Sequence, residues 1–412
     1  MIRKILLAAL VAAMMPAAAL AQDVQAADPV GRLSGADSTV LAVPFRQLMT
    51  QRLDALMEDS LLETSQLGLM VWDLTTDSLL YAFHPRHLLR TASTMKLLTA
   101  ITALDRLGTD YRYTTSLRMK GTISGGVLHG DLVCVGGMDP MFDRKDMQAF
   151  VRALKQKGVK SLACRLVIDV TMKDGDKWGE GWCWDDDNPT LSPLLCEGKA
   201  DFAGQFLREL RAAGIGTGGV STVIAPCPAD TRVVCTRTHI IDEVLQQMMK
   251  ESDNLYAEAT YYQVAASTGH RPAKAADAQE VERALFQKIG LEADRYRLAD
   301  GSGLSLYNYL TAEAQVMLLR YVWQQPDLYR HLLPALPVAG EDGTLKKRMT
   351  DTAAQGNVRA KTGTVTGVSA LSGYLTAPGG HRLAFSIVNQ GLRRAAEGRA
   401  FQDKVCEALC QP

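Results

Sequence analysis

Apolar residues at Phe45, Leu48, Met49, Leu53, Leu56 and Met57 recur three and four apart, which predicts a helix over 45–57. The period then shortens. Leu67-Gly68-Leu69-Met70-Val71-Trp72 and Leu79-Leu80-Tyr81-Ala82-Phe83 flank Thr75-Thr76-Asp77-Ser78, the pattern of a β-hairpin. A second helix is expected over 95–107, stopped by Gly108. From about residue 109 to 237 short strand-like runs at 114–119, 132–135 and 161–170 alternate with glycine-rich turns, interrupted by one helix at 202–213. Helical spacing returns over 240–250, 255–266 and 312–324. Strand-like runs at 359–365, 370–376 and 383–389 follow, and a helix over about 395–409 comes last. Helices at both ends of a short antiparallel meander predict an α/β sandwich, an antiparallel sheet flanked by helices, rather than a doubly wound parallel sheet. The block 109–237 is expected to be an inserted, β-rich accessory domain, which makes 22–108 and 238–412 two parts of one domain.

The N-terminus has another character. Arg3 and Lys4 precede an apolar run from Ile5 to Met15, and Ala19-Leu20-Ala21 offers small residues for cleavage before Gln22. This is a signal-peptide pattern over 1–21, and its run is shorter than the roughly 20 apolar residues a membrane span needs. Residues 22–42 read as a tether. The expectation is an exported, periplasmic protein with no transmembrane segment after cleavage. Across 412 residues 45 Lys+Arg balance 45 Asp+Glu, so the basic excess of a nucleic-acid-binding protein is missing and no nucleic-acid partner is expected. With 47% hydrophobic and 22% charged residues, a mostly disordered chain is excluded as well.

Export makes disulfides possible among the eight cysteines, with Cys183/Cys196 and Cys227/Cys235 the nearest local loops. Cys134 and Cys164 look equally like buried thiols, and Cys406 and Cys410 sit one helical turn apart, an awkward spacing for a bridge. The seven histidines show no metal-ligand spacing, so neither metal nor cofactor is expected. Gly214-Ile215-Gly216-Thr217-Gly218-Gly219 imitates a dinucleotide loop but follows a helix, and Asp185-Asp186-Asp187 reads as a solvated loop beside Trp182 and Trp184.

Three short motifs carry chemistry. In Ser93-Thr94-Met95-Lys96 the lysine lies one helical turn after the serine on the same face. A serine hydroxyl needs a base to become a nucleophile, and lysine serves only if burial or a neighbouring cation strips its proton. Ser252-Asp253-Asn254 falls at a junction of helices and Lys361-Thr362-Gly363 in a strand-like run. Singly each has an ordinary reading: an N-cap serine with a solvated lysine, a polar cap, an edge-strand lysine beside a bulge. Together, in this order and these contexts, they describe an acyl-serine enzyme. Ser93 attacks a carbonyl while Lys96 takes its proton, and Ser252 with Lys361 returns a proton to the leaving amine. Asn254 offers an amide to a peptide-like substrate. The backbone N–H groups of Ser93 and Thr364 form an oxyanion hole. Gly363 admits a substrate backbone, and Thr362 and Lys361 bind a terminal carboxylate.

On these residues the chain resembles the D-alanyl-D-alanine carboxypeptidase/endopeptidases known as class C low-molecular-mass penicillin-binding proteins. Similarity extends to Gly136-Gly137-Met138-Asp139-Pro140, with Met138 where glycine is common, and to Ser252-Asp253-Asn254-Leu255-Tyr256-Ala257-Glu258. It continues in Asp300-Gly301-Ser302-Gly303-Leu304-Ser305, in Leu336-Pro337-Val338-Ala339-Gly340 and in Asp342-Gly343-Thr344-Leu345. The resemblance implies a transpeptidase-like or β-lactamase-like domain split by an insertion after the first motif. It also implies action on peptidoglycan stem peptides and acylation of Ser93 by β-lactam antibiotics. Asp139 and Arg348 are by the same analogy candidates for recognising a charged stem-peptide side chain. The alternatives are a β-lactamase, which would hydrolyse the acyl-enzyme quickly, and a catalytically silent cell-wall-binding protein on the same fold.

Overall fold

In the computed structural model residues 44–412 are described; the signal-peptide and tether readings lie outside them. The elements in chain order begin with α1 (Phe45–Leu56), β1 (Gln66–Asp73), β2 (Ser78–Phe83), β3 (Leu89–Arg90) and α2 (Met95–Leu107). Next come β4 (Arg112–Ser124), β5 (Val127–Val135), α3 (Arg144–Gln156), β6 (Ser161–Asp169), α4 (Phe202–Ala212), β7 (Ser221–Ile224) and β8 (Arg232–Ile240). They continue with α5 (Ile241–Lys250), α6 (Asn254–Ala266), α7 (Ala275–Lys288), β9 (Tyr309–Leu310), α8 (Ala312–Trp323) and α9 (Pro326–Ala335). The last are β10 (Arg359–Val365), β11 (Val368–Thr376), β12 (Arg382–Gln390) and α10 (Ala395–Cys410).

The main sheet has the order β10-β11-β12-β1-β2, with every pair antiparallel. Both of its faces are covered, as a sandwich requires. Leu67, Leu69 and Val71 alternate along β1 onto the face that packs against Met49 and Leu53 of α1 and Phe401, Val405 and Leu409 of α10. Met70, from the intervening position, joins the opposite cluster with α2 and α5 to α9. The sequence-predicted sandwich is therefore the fold, with β10 at one edge of its sheet.

Residues 112–240 form a second sheet in the order β7-β6-β5-β4-β8, in which β5, β6 and β7 run parallel. It has its own apolar cluster, where Phe142, Phe150, Phe202 and Phe206 meet beneath α3 and α4. Helix α3 is additional to the one helix expected in this block. Its Met147, Phe150, Val151 and Leu154 face inward, and Asp143 caps it through the N–H groups of Lys145 and Asp146. Asp185–Asp187 is an exposed loop, and Gly214 ends α4 in a turn with φ of 77°. All eight cysteines are free, so neither of the two local loops considered from sequence is closed by a bridge. Cys134 and Cys164 are buried thiols.

Phe385 lies at the middle of β12 between Val71 and Gly373 and is fully buried. Phe385→Ala is expected to lower unfolding stability by about 3–5 kcal/mol, measured by urea denaturation.

Candidate active site

A single turn, Ala92–Thr94, leads into α2 and carries the first motif. Ala92 sits at φ 45°, a left-handed conformation uncommon outside glycine. Thr94 anchors the turn: its hydroxyl donates to the Thr91 carbonyl at 2.7 Å and accepts from Gln315 Nε2 at 2.7 Å. One turn later Lys96 is wholly buried. Its Nζ donates to Ser93 Oγ (3.0 Å), Asn254 Oδ1 (2.7 Å) and the Ser302 carbonyl (2.7 Å).

The second motif works as a helix start. Asp253 caps α6, accepting from the N–H groups of Leu255 (2.9 Å) and Tyr256 (3.3 Å), which places Asn254 at the first helical position, facing Lys96. Ser252, just before the cap, sits at φ 61°. Its Oγ accepts from Lys361 Nζ at 2.9 Å, and the same ammonium donates to the Thr362 carbonyl at 2.8 Å. Lys361 is fully buried, although an edge-strand lysine would ordinarily be solvated. Gly363 shares a face of β10 with it, and a Cβ there would lie 2.7 Å from the Thr91 carbonyl and 3.1 Å from Ser93 N. Only glycine lets the strand lie this close to the serine turn.

Three features came without an assigned role in the sequence. The loop 300–305 supplies the Ser302 carbonyl, and its Gly303 approaches so closely that a Cβ would stand 1.9 Å from the Ala92 carbonyl. Glu258 fastens this loop by accepting from the N–H groups of Gly301 (3.1 Å) and Ser302 (2.8 Å). Glu282 of α7 is also buried, and neither of its oxygens has a partner. Helical spacing places Glu258 one turn beyond Asn254, a signal present in the sequence; the Glu282 position carries no motif.

Burial dominates the electrostatics. It pushes Lys96 down to about 8, against the raising influence of Asp300, Glu258 and Asp253. Lys361 falls well below the ordinary lysine value through burial and then through the charge of Lys96. Burial and the neighbouring Asp300 lift Glu258 to about 8, and burial with Glu258 holds Glu282 well above the usual carboxyl range. Burial thus disfavours the charged form of these two carboxyls as it does that of the two lysines.

Over Ser93 and Ser252 opens a cleft of about 530 Å³, walled by Thr362 and Thr364 of β10 and by Thr344, whose hydroxyl meets that of Thr362 at 2.8 Å. Lys347, Arg348 and Arg399 line it too, which makes it cationic. Arg348 thus reaches the cleft. It forks onto Asp403 at 2.7 and 3.0 Å, and its Nη1 is buried without a partner. Asp139 is not brought to the cleft wall. Its buried carboxylate lies 2.7 Å from His239 Nδ1 and accepts from the Met141 N–H at 3.1 Å.

This geometry sits within a recognisable family. The model of the D-Ala-D-Ala carboxypeptidase 3 (S13) family matches residues 49–195 and 190–411. The chain belongs to that family. Membership makes it a serine-type D-Ala-D-Ala carboxypeptidase, a hydrolase of the penicillin-binding protein group. It is 29% identical over 459 residues to the D-alanyl-D-alanine carboxypeptidase of Actinomadura sp., covering 88% of this chain and 84% of that one. It is also 29% identical over 443 residues to carboxypeptidase DacB of Mycolicibacterium smegmatis, covering 97% and 94%. Its fold matches penicillin binding protein 4 (dacB) of Haemophilus influenzae with a TM-score of 0.78 at 22% identity, over 88% of this chain and 98% of that one. A second structure of the Haemophilus protein, complexed with a β-lactam, matches with a TM-score of 0.71 at 23% identity, over 87% and 97%.

The Asp139–His239 contact has a measurable consequence. The hydrogen bond to Asp139 raises the affinity of His239 for its proton. A raised folded value stabilises the protein below the ordinary imidazole value, and that contribution disappears as pH climbs through the folded one. Urea midpoints are expected to fall as pH climbs above the ordinary imidazole value in the wild type and to vary less in His239→Asn.

Proposed function

We propose that this family member cleaves the terminal D-alanine from peptidoglycan stem peptides through an acyl-Ser93 intermediate. The hydrogen-bond stoichiometry at Lys96 Nζ supports this role for Ser93. A neutral amine has two N–H donors and one lone pair, and Lys96 Nζ has three partners. The Ser302 carbonyl and the Asn254 Oδ1 can only accept. Once Lys96 is neutral, its lone pair can therefore face only the Ser93 hydroxyl, so the arrangement selects Ser93 as the group to be deprotonated.

Ser93 Oγ then bonds to the carbonyl carbon of the penultimate residue while its proton passes to Lys96. The oxyanion is held by the N–H groups of Ser93 and Thr364, which Gly363 keeps close together. Collapse breaks the peptide bond. The departing D-alanine amine takes the proton that Lys96 removed from Ser93, relayed through Lys361 and Ser252, which returns Lys96 to its neutral form. Water attacking the ester, with Lys96 again as base, releases the shortened peptide. Asn254 orients the substrate amide, and Thr362, Gly363 and Thr364 receive its backbone along β10. Lys347, Arg348 and Arg399 make the cleft cationic, which attracts the anionic stem peptide. Asp139 contributes from behind, by holding its loop against His239. A β-lactam presents the same acyl group in a ring, so Ser93 would retain it covalently.

Residues 109–237 are read as an accessory domain set into the catalytic one, and export rests on the leader pattern. Among the described residues no helix is long and apolar enough to cross a membrane.

Intact-mass measurement after incubation with benzylpenicillin should show one whole-molecule adduct on the wild type and none on Ser93→Ala; an adduct surviving the substitution overturns the assignment. Stable labelling together with D-alanine release from stem peptides separates the carboxypeptidase from a β-lactamase, which would turn the drug over. Lys96→Met is expected to slow acylation about 10²–10⁴-fold. In the wild type the acylation rate should fall about tenfold per pH unit below about 8, where Lys96 holds its proton.

A further inference from the structure

The connection between β6 and α4, residues 170–201, contains neither helix nor strand, yet it clasps the rest of the molecule at two points. At the first, the fully buried Lys173 donates to Asp174 Oδ1 at 2.7 Å and lies 4.6 Å from the centre of the Tyr262 ring of α6. Beside it the Asp174 N–H donates to the Ala273 carbonyl at 3.1 Å. At the second, the buried Trp182 donates its indole N–H to Asp300 Oδ2 at 2.7 Å. Its flanks are fitted to the same loop. Gly181, at φ 76°, has the Tyr307 ring where a Cβ would come within 2.5 Å, and Glu180 pairs with Arg297 at 3.0 Å.

Asp300 is the hub of the loop under the first motif. Besides Trp182, its carboxylate accepts from the N–H groups of Gly303 (2.7 Å) and Ser305 (2.7 Å) and from Asn308 Nδ2 (2.6 Å). These bonds wind 300–305 into a tight curl that aims the Ser302 carbonyl at Lys96 Nζ, 2.7 Å away. Glu258 holds the same curl from the other side. From the indole to the ammonium the path is one hydrogen bond, one tight loop and one more hydrogen bond. A buried carboxylate with this many donors is well satisfied without another, so a tryptophan 118 residues earlier in the chain is a costly way to supply one more. What it adds is attachment of the insertion to the lysine's lid.

We propose that Trp182, a residue of the insertion, is a positioning residue for the acylation step, holding Lys96 through Asp300 and the Ser302 carbonyl. The proposal rests on Lys96 being the base for Ser93. Loosening the curl admits water to Lys96, and since burial is what lowers its proton affinity, hydration must restore part of it.

The test is the pH profile of Ser93 acylation by benzylpenicillin, read by intact mass on the full chain. Trp182→Phe keeps an aromatic ring and removes only the donor. Its acid-limb midpoint is expected to rise by about half a unit or more, with little change in the concentration giving half-maximal rate. An unmoved or lowered midpoint overturns the proposal whatever the maximal rate, because a merely structural role scales the rate without moving the profile. Should Trp182→Phe not fold, the indole ¹⁵N–¹H resonance of Trp182 in the wild type decides. It should titrate with the acylation midpoint, and a flat resonance overturns the proposal. Failure of the underlying reading looks different: the wild type then forms no Ser93 adduct at any pH, or forms it with no acid limb, and this proposal falls with it.

Discussion

An ammonium group buried without a full counter-ion is the constraint around which this molecule is arranged. Taking Lys96 out of water costs several kcal/mol unless its donors are met or its proton is given up, and the structure prepares for both. Three acceptors surround Nζ, each from a different part of the chain: the serine turn, the start of α6 and the loop 300–305. The carboxyls that act on it are those of Asp300, Glu258 and Asp253, and their influence is outweighed by burial. Burial leaves the lysine with a lowered proton affinity, the direction that the proposed role of general base requires.

The rest of the fold can be understood as access to that point. The antiparallel sheet ends at β10, and an edge strand is the part of a sheet that can receive another extended chain. Glycine at 363 brings this edge against the serine turn, and Gly373 on the neighbouring strand lets Ala360 approach so closely that a Cβ would stand 2.5 Å from its Cα. Lys361 lies buried beside Ser252, so two lysines lie in one site, and the charge of Lys96 adds to burial in lowering the proton affinity of Lys361. The cleft above them is lined by Lys347, Arg348 and Arg399, matching an anionic peptide rather than a neutral one.

Much of the framework is legible in one dimension. The helices at 45–57, 95–107 and 312–324 and the three C-terminal strands fall within a few residues of their predicted bounds. Helix α3 carries an equally clear face in Met147, Phe150, Val151 and Leu154, masked by its strand-like surroundings. Helix α7 is harder to see for a reason tied to the site. Its buried face is Ala278, Glu282, Leu285 and Phe286, and a glutamate in the middle of the stripe breaks the apolar pattern. Pro334 near the end of α9 obscures that helix similarly. Trp182 and Trp184 look alike in the sequence, yet one is buried against Asp300 and the other is 83% exposed.

The sequence by itself determined the alternation that builds the sandwich and the spacing of the proposed reacting groups. These are properties of residue type and local spacing: Ser93 and Lys96 are one helical turn apart in any structure that contains the helix. Only the tertiary structure decided what the groups can do. Proton affinity depends on how much water surrounds a side chain and which charges stand near it, and for Lys96 those neighbours come from positions 253, 258 and 300. The same holds for the paired candidates Asp139 and Arg348, which look equivalent in the sequence. One is closed off by His239 from β8, the other lines the cleft while forked onto Asp403, and no local pattern encodes that difference because the partners lie about 100 and 50 residues away.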